Sequence, residues 1–148
     1  MRRTCALLAS LTVAGATALG AAPAEAASAL QFGRINYNSP GSDTSANTSV
    51  NGEWVVVKNV SSSTRCLTGW TVRDVAGHVY KFGSFCLGGY KTVALHSGKG
   101  TNSSTRRYWG SGWHIWNNTG DTAALRNSSG TLMDSCRWSS NGAGYTNC

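Results

Sequence analysis

Residues 52–59 read Gly-Glu-Trp-Val-Val-Val-Lys-Asn, a short β-branched run that ends in polar residues. Alternate side chains of a strand share one face, so Val55 and Val57 are expected to point into a core. Similar short runs, separated by Gly, Asn and Ser, follow at 67–70, 80–82 and 91–95. This rhythm predicts an all-β protein whose strands form a small antiparallel β-sandwich.

The remaining segments extend the same pattern. Residues 30–37 are expected to open the sheet, with Phe32 and Ile35 as apolar candidates, and polar residues 38–51 form a surface loop. A hairpin is expected over 70–82, and another around the Asn-Ser-Ser-Gly turn at 127–130. Residues 97–108 lack regular apolar spacing and are expected to form a long loop. No helical periodicity follows the N-terminal segment.

The N-terminus has the organisation of a signal peptide. Arg2 and Arg3 precede an apolar stretch, and Ala24-Glu25-Ala26 offers a small-residue cleavage site. We expect residues 1–26 to be removed, with cleavage as late as residue 29 as a variant, and residues 27–148 to form one secreted, extracellular domain. An uncleaved membrane anchor is the alternative, because the apolar run approaches the ~20 residues of a spanning helix. No further stretch is long enough to span a bilayer.

The charge is strongly basic. The chain has 13 Lys and Arg against 6 Asp and Glu, and after removal of residues 1–26 the balance is 11 against 5. A formal charge of +6 favours anionic surroundings such as cell-wall polymers or nucleic acid, although it also suits an ordinary basic surface.

Four cysteines follow the signal peptide, which indicates disulfides in an exported chain. The wide spacing and the lack of a C-x-x-C pair argue against zinc. Three connectivities exist. Cys66 and Cys86 lie at the ends of neighbouring strands, and Cys136 lies in the last strand before the terminal Cys148. We therefore predict the pairs Cys66–Cys86 and Cys136–Cys148.

The segment 106–116 is the candidate for ligand binding. Aromatic faces can stack on bases or sugar rings, and Arg neutralises anions, so either single-stranded nucleic acid or a polysaccharide suits it. Trp113 is expected to be exposed because Gly110-Ser111-Gly112 precedes it. The candidate ligand-binding residues are Arg106, Arg107, Tyr108, Trp109, Trp113 and Trp116.

Catalytic chemistry is not indicated. The sequence has no G-x-S-x-G elbow, and Gly98-Lys99-Gly100 lacks the other residues of a phosphate loop. His78, His96 and His114 are too far apart for a metal set, and Asp74 and Asp121 are expected to cap turns. We predict no catalytic residue, no metal and no cofactor. A small hydrolase that uses Asp121 and His114 is the minor alternative.

The order of several motifs resembles the lamin tail domain family. The run at 52–59 resembles its opening strand motif, and Leu-Thr-Gly-Trp, Tyr-Lys-Phe and Leu-Gly-Gly-Tyr-Lys-Thr-Val follow in the family order. Later pieces lie at 97–100, 108–110, 116–121 and 125–130. The match covers nearly all of residues 27–148, and the joint order is more specific than any single piece.

This resemblance implies an immunoglobulin-like β-sandwich that serves as an interaction module. It also implies that Trp109 and Trp116, which fall within the family pattern, are core or near-core residues. The four cysteines and the Trp-rich segment depart from the animal domains, so partners of nuclear lamins are not carried across.

We therefore expect a secreted, non-enzymatic, monomeric module of the bacterial single-domain type. Its expected partner is cell-wall polysaccharide, another anionic polymer or an extracellular protein, with nucleic acid less favoured.

Overall fold

The computed structural model describes residues 27–139 and 142–148, so the predicted signal peptide at 1–26 lies outside the described residues. In chain order the elements are β1 (Leu30–Asn36), α1 (Asn47–Val50), β2 (Trp54–Asn59), β3 (Arg65–Cys66), β4 (Thr71–Arg73), β5 (Val79–Lys81), β6 (Cys86–Leu87), β7 (Thr92–His96), β8 (Arg106–Tyr108), β9 (Gly120–Arg126), β10 (Leu132–Ser139) and β11 (Tyr145–Asn147).

The strands form two main sheets and a small ribbon. One sheet has the order β11-β1-β2-β7-β8, the other has the order β10-β9-β4-β5, and β3 pairs with β6. This arrangement confirms the predicted β-sandwich.

One neighbouring pair departs from the antiparallel expectation. β8 runs parallel to β7, with Leu95 opposite Arg107. Parallel neighbours need a connection that returns the chain to the same end of the sheet, and residues 97–105 supply it. The segment expected to be loop as far as Tyr108 therefore ends in an edge strand.

The core lies between the two main sheets and is built by alternation along each strand. Val55 and Val57 in β2 are fully buried, as expected, and Ala123 and Leu125 in β9 face them from the other sheet. Burying a Val or Leu side chain contributes roughly 1.5–3 kcal/mol. The fold therefore rests on these inward positions rather than on the exposed faces.

β1 does not alternate simply. Phe32 and Ile35 are both fully buried although they are three residues apart, because the register shifts between them. Gly33 and Arg34 together lie opposite Val56, which is the geometry of a β-bulge. The extra residue keeps both apolar side chains in the core and leaves Arg34 exposed on the outer side.

Both predicted disulfides are present. Cys66–Cys86 joins β3 to β6, and Cys136–Cys148 joins β10 to the residue that follows β11. The second bridge holds the end of the chain against the sandwich.

One short helix interrupts the loop that was expected over residues 38–51. α1 is a single turn, and its Val50 is buried although the segment is otherwise polar. A one-turn helix has no sequence periodicity, which is why the pattern did not reveal it. In residues 27–139 and 142–148, no helix has the length and apolar character that crossing a membrane requires.

Candidate binding surfaces

The predicted segment 106–116 does not form one surface. Its first three residues are strand β8, and the rest follows as irregular chain. Trp113 is 53% exposed, whereas Trp116 is only 3% exposed. The six candidate residues therefore divide into a strand part, a core part and one protruding indole.

The side chain of Arg107 lies at the edge of the core. Its guanidinium lies 4.0 Å from the centre of the Phe85 ring, a cation–π contact. Burial raises the pKa of the nearby Tyr80 hydroxyl, and the positive charge of Arg107 partly offsets that rise. Arg107 thus packs at the edge of the core, whereas its neighbour Arg106 is exposed.

Tyr108 stacks on the imidazole of His96, with ring centres 5.3 Å apart and planes 21° from parallel. Gly100 packs so closely against the same ring that any side chain at this position would collide with it. Tyr108 is therefore held between β7 and the 97–105 connection.

Trp116 belongs to the core and the partly buried Trp109 packs against it, in line with the core or near-core positions that the family resemblance implied. Their rings meet edge to face at 5.9 Å, and Trp116 meets Trp138 at 5.7 Å. Trp138 in turn stacks on Tyr37 at 4.9 Å. Such pairs add about 0.5–1.5 kcal/mol each beyond their buried area. This aromatic chain anchors the segment that carries Trp113.

Trp113 stands at the rim of a depression of about 380 Å³. The Ser111 hydroxyl accepts a hydrogen bond from the Trp113 backbone N–H at 3.1 Å and donates one to its carbonyl at 2.6 Å. The Trp113 depression is lined by Asp43, Ala76, His78 and residues 113–119. It combines an open aromatic face with polar side chains, which suits a sugar ring.

A buried carboxylate supports this loop from below. Glu53 is fully buried, and its Oε2 accepts hydrogen bonds from the backbone N–H groups of Ile115 at 2.8 Å and Trp116 at 3.4 Å. Its Oε1 lies 3.2 Å from Nδ1 of His114. Burial raises the pKa of Glu53, against the opposing effects of the Ile115 N–H, the Ser97 hydroxyl and the His114 charge.

Ser49, His114 and Glu53 have the residue types of a hydrolytic triad. The Ser49 hydroxyl lies 3.2 Å from Nε2 of His114, yet it also accepts a hydrogen bond from the Thr44 N–H. Among the described residues, Nδ1 of His114 and Oε1 of Glu53 make no hydrogen bond, so their contact is electrostatic. A triad needs that bond to orient the imidazole, and the contacts therefore suit loop anchoring better than catalysis.

Three other carboxylates, those of Asp74, Asp121 and Asp134, accept hydrogen bonds from backbone N–H groups. Asp74 accepts the His78 N–H at 2.7 Å and contacts its ring, and Asp121 accepts the N–H groups of Asn117 and Thr122. Asp134 reaches across to β1 and accepts the Phe32 N–H at 2.7 Å. Asp74 and Asp121 thus cap turns, as expected. The described residues contain no group of three or more His, Cys, Asp or Glu side chains arranged to hold a metal ion.

The basic side chains lack such partners. The described part of the chain holds 11 Lys and Arg and five Asp and Glu. Within it, the close ionic contacts all involve histidine, and no Lys or Arg lies within 4.0 Å of a carboxylate. Because none of the described carboxylates lies beside a Lys or Arg, the positive charge is not neutralised locally.

A second surface was missed by the sequence analysis. The outer face of the five-stranded sheet carries a line of registered residues, one on each strand, which we call the sheet row: Tyr145, Asn36, Trp54, His96 and Tyr108. The guanidinium of Arg34 lies 3.7 Å from the Tyr145 ring centre and 5.9 Å from that of Trp54. The i, i+3 spacing of Phe32 and Ile35 was a signal for the bulge, but nothing local linked Arg34 to a residue more than a hundred positions away.

Glu53 was also missed as a site residue. A single acidic residue before an apolar strand reads as an ordinary exposed residue. Its position at the start of the decisive strand run was the available signal, since a carboxylate beside buried valines needs hydrogen-bond donors.

The chain was compared with known proteins and with protein-family models. No curated protein matches the chain at a significant level. A family model described as Lamin Tail Domain matches residues 23–140, which is most of the sequence. With the two-sheet sandwich and the ordered motifs already described, this match shows that the chain belongs to the lamin tail domain family.

Proposed function

We propose that this chain is a secreted, non-enzymatic binding module that recognises an anionic polymer, in particular an anionic cell-wall polysaccharide. The single observation that carries the proposal is the unbalanced charge: the described residues include 11 Lys and Arg side chains, and none of them has a carboxylate partner. Several such cations acting together attract a polyanion, and salt weakens that attraction. Membership in a family of immunoglobulin-like interaction modules supports a binding role over a catalytic one.

The predicted signal peptide and the two disulfides support the proposal of export. Bridges such as Cys66–Cys86 persist in oxidising compartments. Cleavage after residue 26 would keep Ser28 and Ala29, which hydrogen-bond to the backbone N–H groups of Leu30 and Val60. N-terminal sequencing of protein recovered from the culture medium should therefore begin at Ala27.

Retention on insoluble material tests the binding role. Purified residues 27–148 are incubated with anionic cell wall, with chitin as an uncharged polysaccharide and with immobilised DNA. We expect retention on cell wall that falls steeply between about 50 and 500 mM salt. A protein that none of these materials retains at low salt would contradict the proposal.

A protein partner is the second candidate, because Val75 is 68% exposed and Val79 is 46% exposed on the β4–β5 hairpin. A stoichiometric protein that co-purifies from cell-surface extracts, and is lost in a Val75→Ser, Val79→Ser variant, would favour it. The same variant should keep its retention on cell wall if the polymer proposal is correct.

A further inference from the structure

We propose that Arg34, held between Tyr145 and Trp54 on the outer face of the five-stranded sheet, binds the phosphate or carboxylate groups of a linear anionic polysaccharide. This inference rests on the proposed polymer binding and assigns it to one site. The site shares only two residues with segment 106–116: Arg106 and Tyr108, which lie in the edge strand β8 of this sheet.

The bulge in β1 directs Arg34 to this place. With strict alternation after the buried Phe32, the Arg34 side chain would point into the core. The register shift places Gly33 and Arg34 together opposite Val56 and returns Ile35 to the interior. Bulges often re-aim a side chain next to a functional site, and here the re-aimed side chain is a cation.

The neighbouring rings fix the guanidinium. It lies 3.7 Å from the Tyr145 ring centre and 5.9 Å from the Trp54 ring centre, both within the range of a cation–π contact. Arg34 is exposed and makes no hydrogen bond or ion pair with the described residues, so its N–H donors remain available. A planar donor group that is already oriented binds two oxygens of a phosphate or carboxylate with little further ordering.

The charge of the surrounding face matches this ligand. The outward positions of the five strands include Lys58 and Arg106, and no Asp or Glu occupies the described strands of this sheet. The stem of Lys58 lies over Gly33, close to the residue before Arg34. Arg106 lies three strands from β1, about 14 Å at the usual strand spacing. A polymer that crosses the strands can therefore meet several cations.

The ring contacts favour a polysaccharide over single-stranded nucleic acid. Nucleic acid binding of this kind depends on open aromatic faces for the bases. Here Arg34 covers one face of Tyr145, and His96 covers one face of Tyr108 while Gly100 packs against the same ring. The sheet row thus presents a fixed cation rather than a stacking platform.

The test measures the affinity of residues 27–148 for two soluble polysaccharides, a phosphorylated mannan and polygalacturonate, which separate phosphate from carboxylate recognition. Arg34→Gln should weaken binding to the preferred polymer by about tenfold, since charge-assisted hydrogen bonds are lost. Arg34→Lys should recover only part of this loss because an ammonium group cannot bind in the same bidentate way. Arg137→Gln removes one exposed charge from the other sheet and should weaken binding by about twofold or less.

Circular dichroism confirms that each variant is folded. Equal losses in Arg34→Gln and Arg137→Gln, or full recovery in Arg34→Lys, would overturn the site while leaving polymer binding intact. Tighter binding to single-stranded DNA than to either polymer would overturn the ligand class. A wild-type protein that binds neither polymer but is retained on anionic cell wall would overturn the site alone, and one that shows neither binding nor retention would remove the proposed function as well.

Discussion

The sheet row and the Trp113 depression both present aromatic and polar groups to solvent, but they are built in different ways. Strand register places the residues of the row, one on each of five strands. Loops place the depression, and its exposed Trp113 lies between glycine-rich chain and a buried carboxylate. The geometry of the row therefore depends on strand pairing within the sheet, whereas the geometry of the depression depends on the contacts of Glu53.

The two surfaces also differ in charge. Arg34, Lys58 and Arg106 share a face with no carboxylate on the described strands, while Asp43 lines the depression beside His114. A polyanion is therefore favoured at the row, and an uncharged sugar suits the depression better. Strand register places the row, whereas the side-chain carboxylate of Glu53 holds the loop of the depression, so side-chain substitutions can disturb one surface while the other is measured.

The largest effect is expected at the support of the depression. Glu53→Ala removes the acceptor of two buried backbone N–H groups and leaves His114 without its partner. Losing a buried polar partner of this kind should lower the free energy of unfolding by about 4 kcal/mol. Urea denaturation measures this loss, with Asp43→Ala as the control, because Asp43 is an exposed residue whose carboxylate also contacts His114, at 3.8 Å. The control should lose about 1 kcal/mol or less. A comparable loss in both variants would show that Glu53 has no special supporting role.

Removing the disulfides tests the sheet row, because one bridge holds the tail that carries Tyr145 and the other does not. Replacing either cysteine pair with alanine should lower the free energy of unfolding by about 3 kcal/mol, the loop-closure entropy expected for bridges between cysteines 20 and 12 residues apart. Loss of Cys136–Cys148 should also weaken polymer binding, because Tyr145 lies in β11 just before the anchored Cys148. Loss of Cys66–Cys86 should leave the affinity of the folded protein unchanged. Equal affinities for both double variants would break the proposed link between the tail and Arg34.

Much of the fold could be predicted from the sequence because its causes are local. Alternation at Val55 and Val57, glycine-containing turns and an even cysteine count each depend on neighbouring residues or on simple pairing rules. The parallel strand β8 was not predictable in this way. Its three residues carry no strand pattern and are placed by contacts with β7.

The candidate sites were less predictable because they depend on long-range placement. In segment 106–116 the glycines before Trp113 correctly predicted its exposure, whereas the burial of Trp116 was implied by the family resemblance. It could not show that Arg107 packs on Phe85, nor that Arg34 lies against Tyr145 at the other end of the chain. Those contacts follow from strand order, which no local pattern specifies.

The pH dependence of stability offers a finer test of how Glu53 supports the loop. Burial raises its pKa above 4.5, so the folded protein holds this proton more tightly than the unfolded chain does. The protonated form of Glu53 stabilises the fold fully below about pH 4.5, and this stabilisation is lost as the pH rises through the raised pKa of the folded protein. Relative to Glu53→Gln, the wild type should therefore lose stability over that window. Thermal unfolding across pH 4–8 measures the difference, which also reflects the facing groups His114 and Asp43. A pH-independent difference would contradict this assignment.

The smallest effect on stability, and the most direct probe of the depression, is expected at Trp113. Its side chain is 53% exposed. Among the described residues, its ring pairs with one other aromatic ring, that of His114, edge to face at 5.5 Å. Trp113→Ala should therefore change the free energy of unfolding by no more than about 0.5 kcal/mol. If the depression binds uncharged sugars, the variant should lose retention on chitin while its affinity for anionic polymers stays at the wild-type level. Loss of anionic binding in this variant, with Arg34→Gln unaffected, would reverse the roles given to the two surfaces and place the polymer on the loops rather than on the sheet.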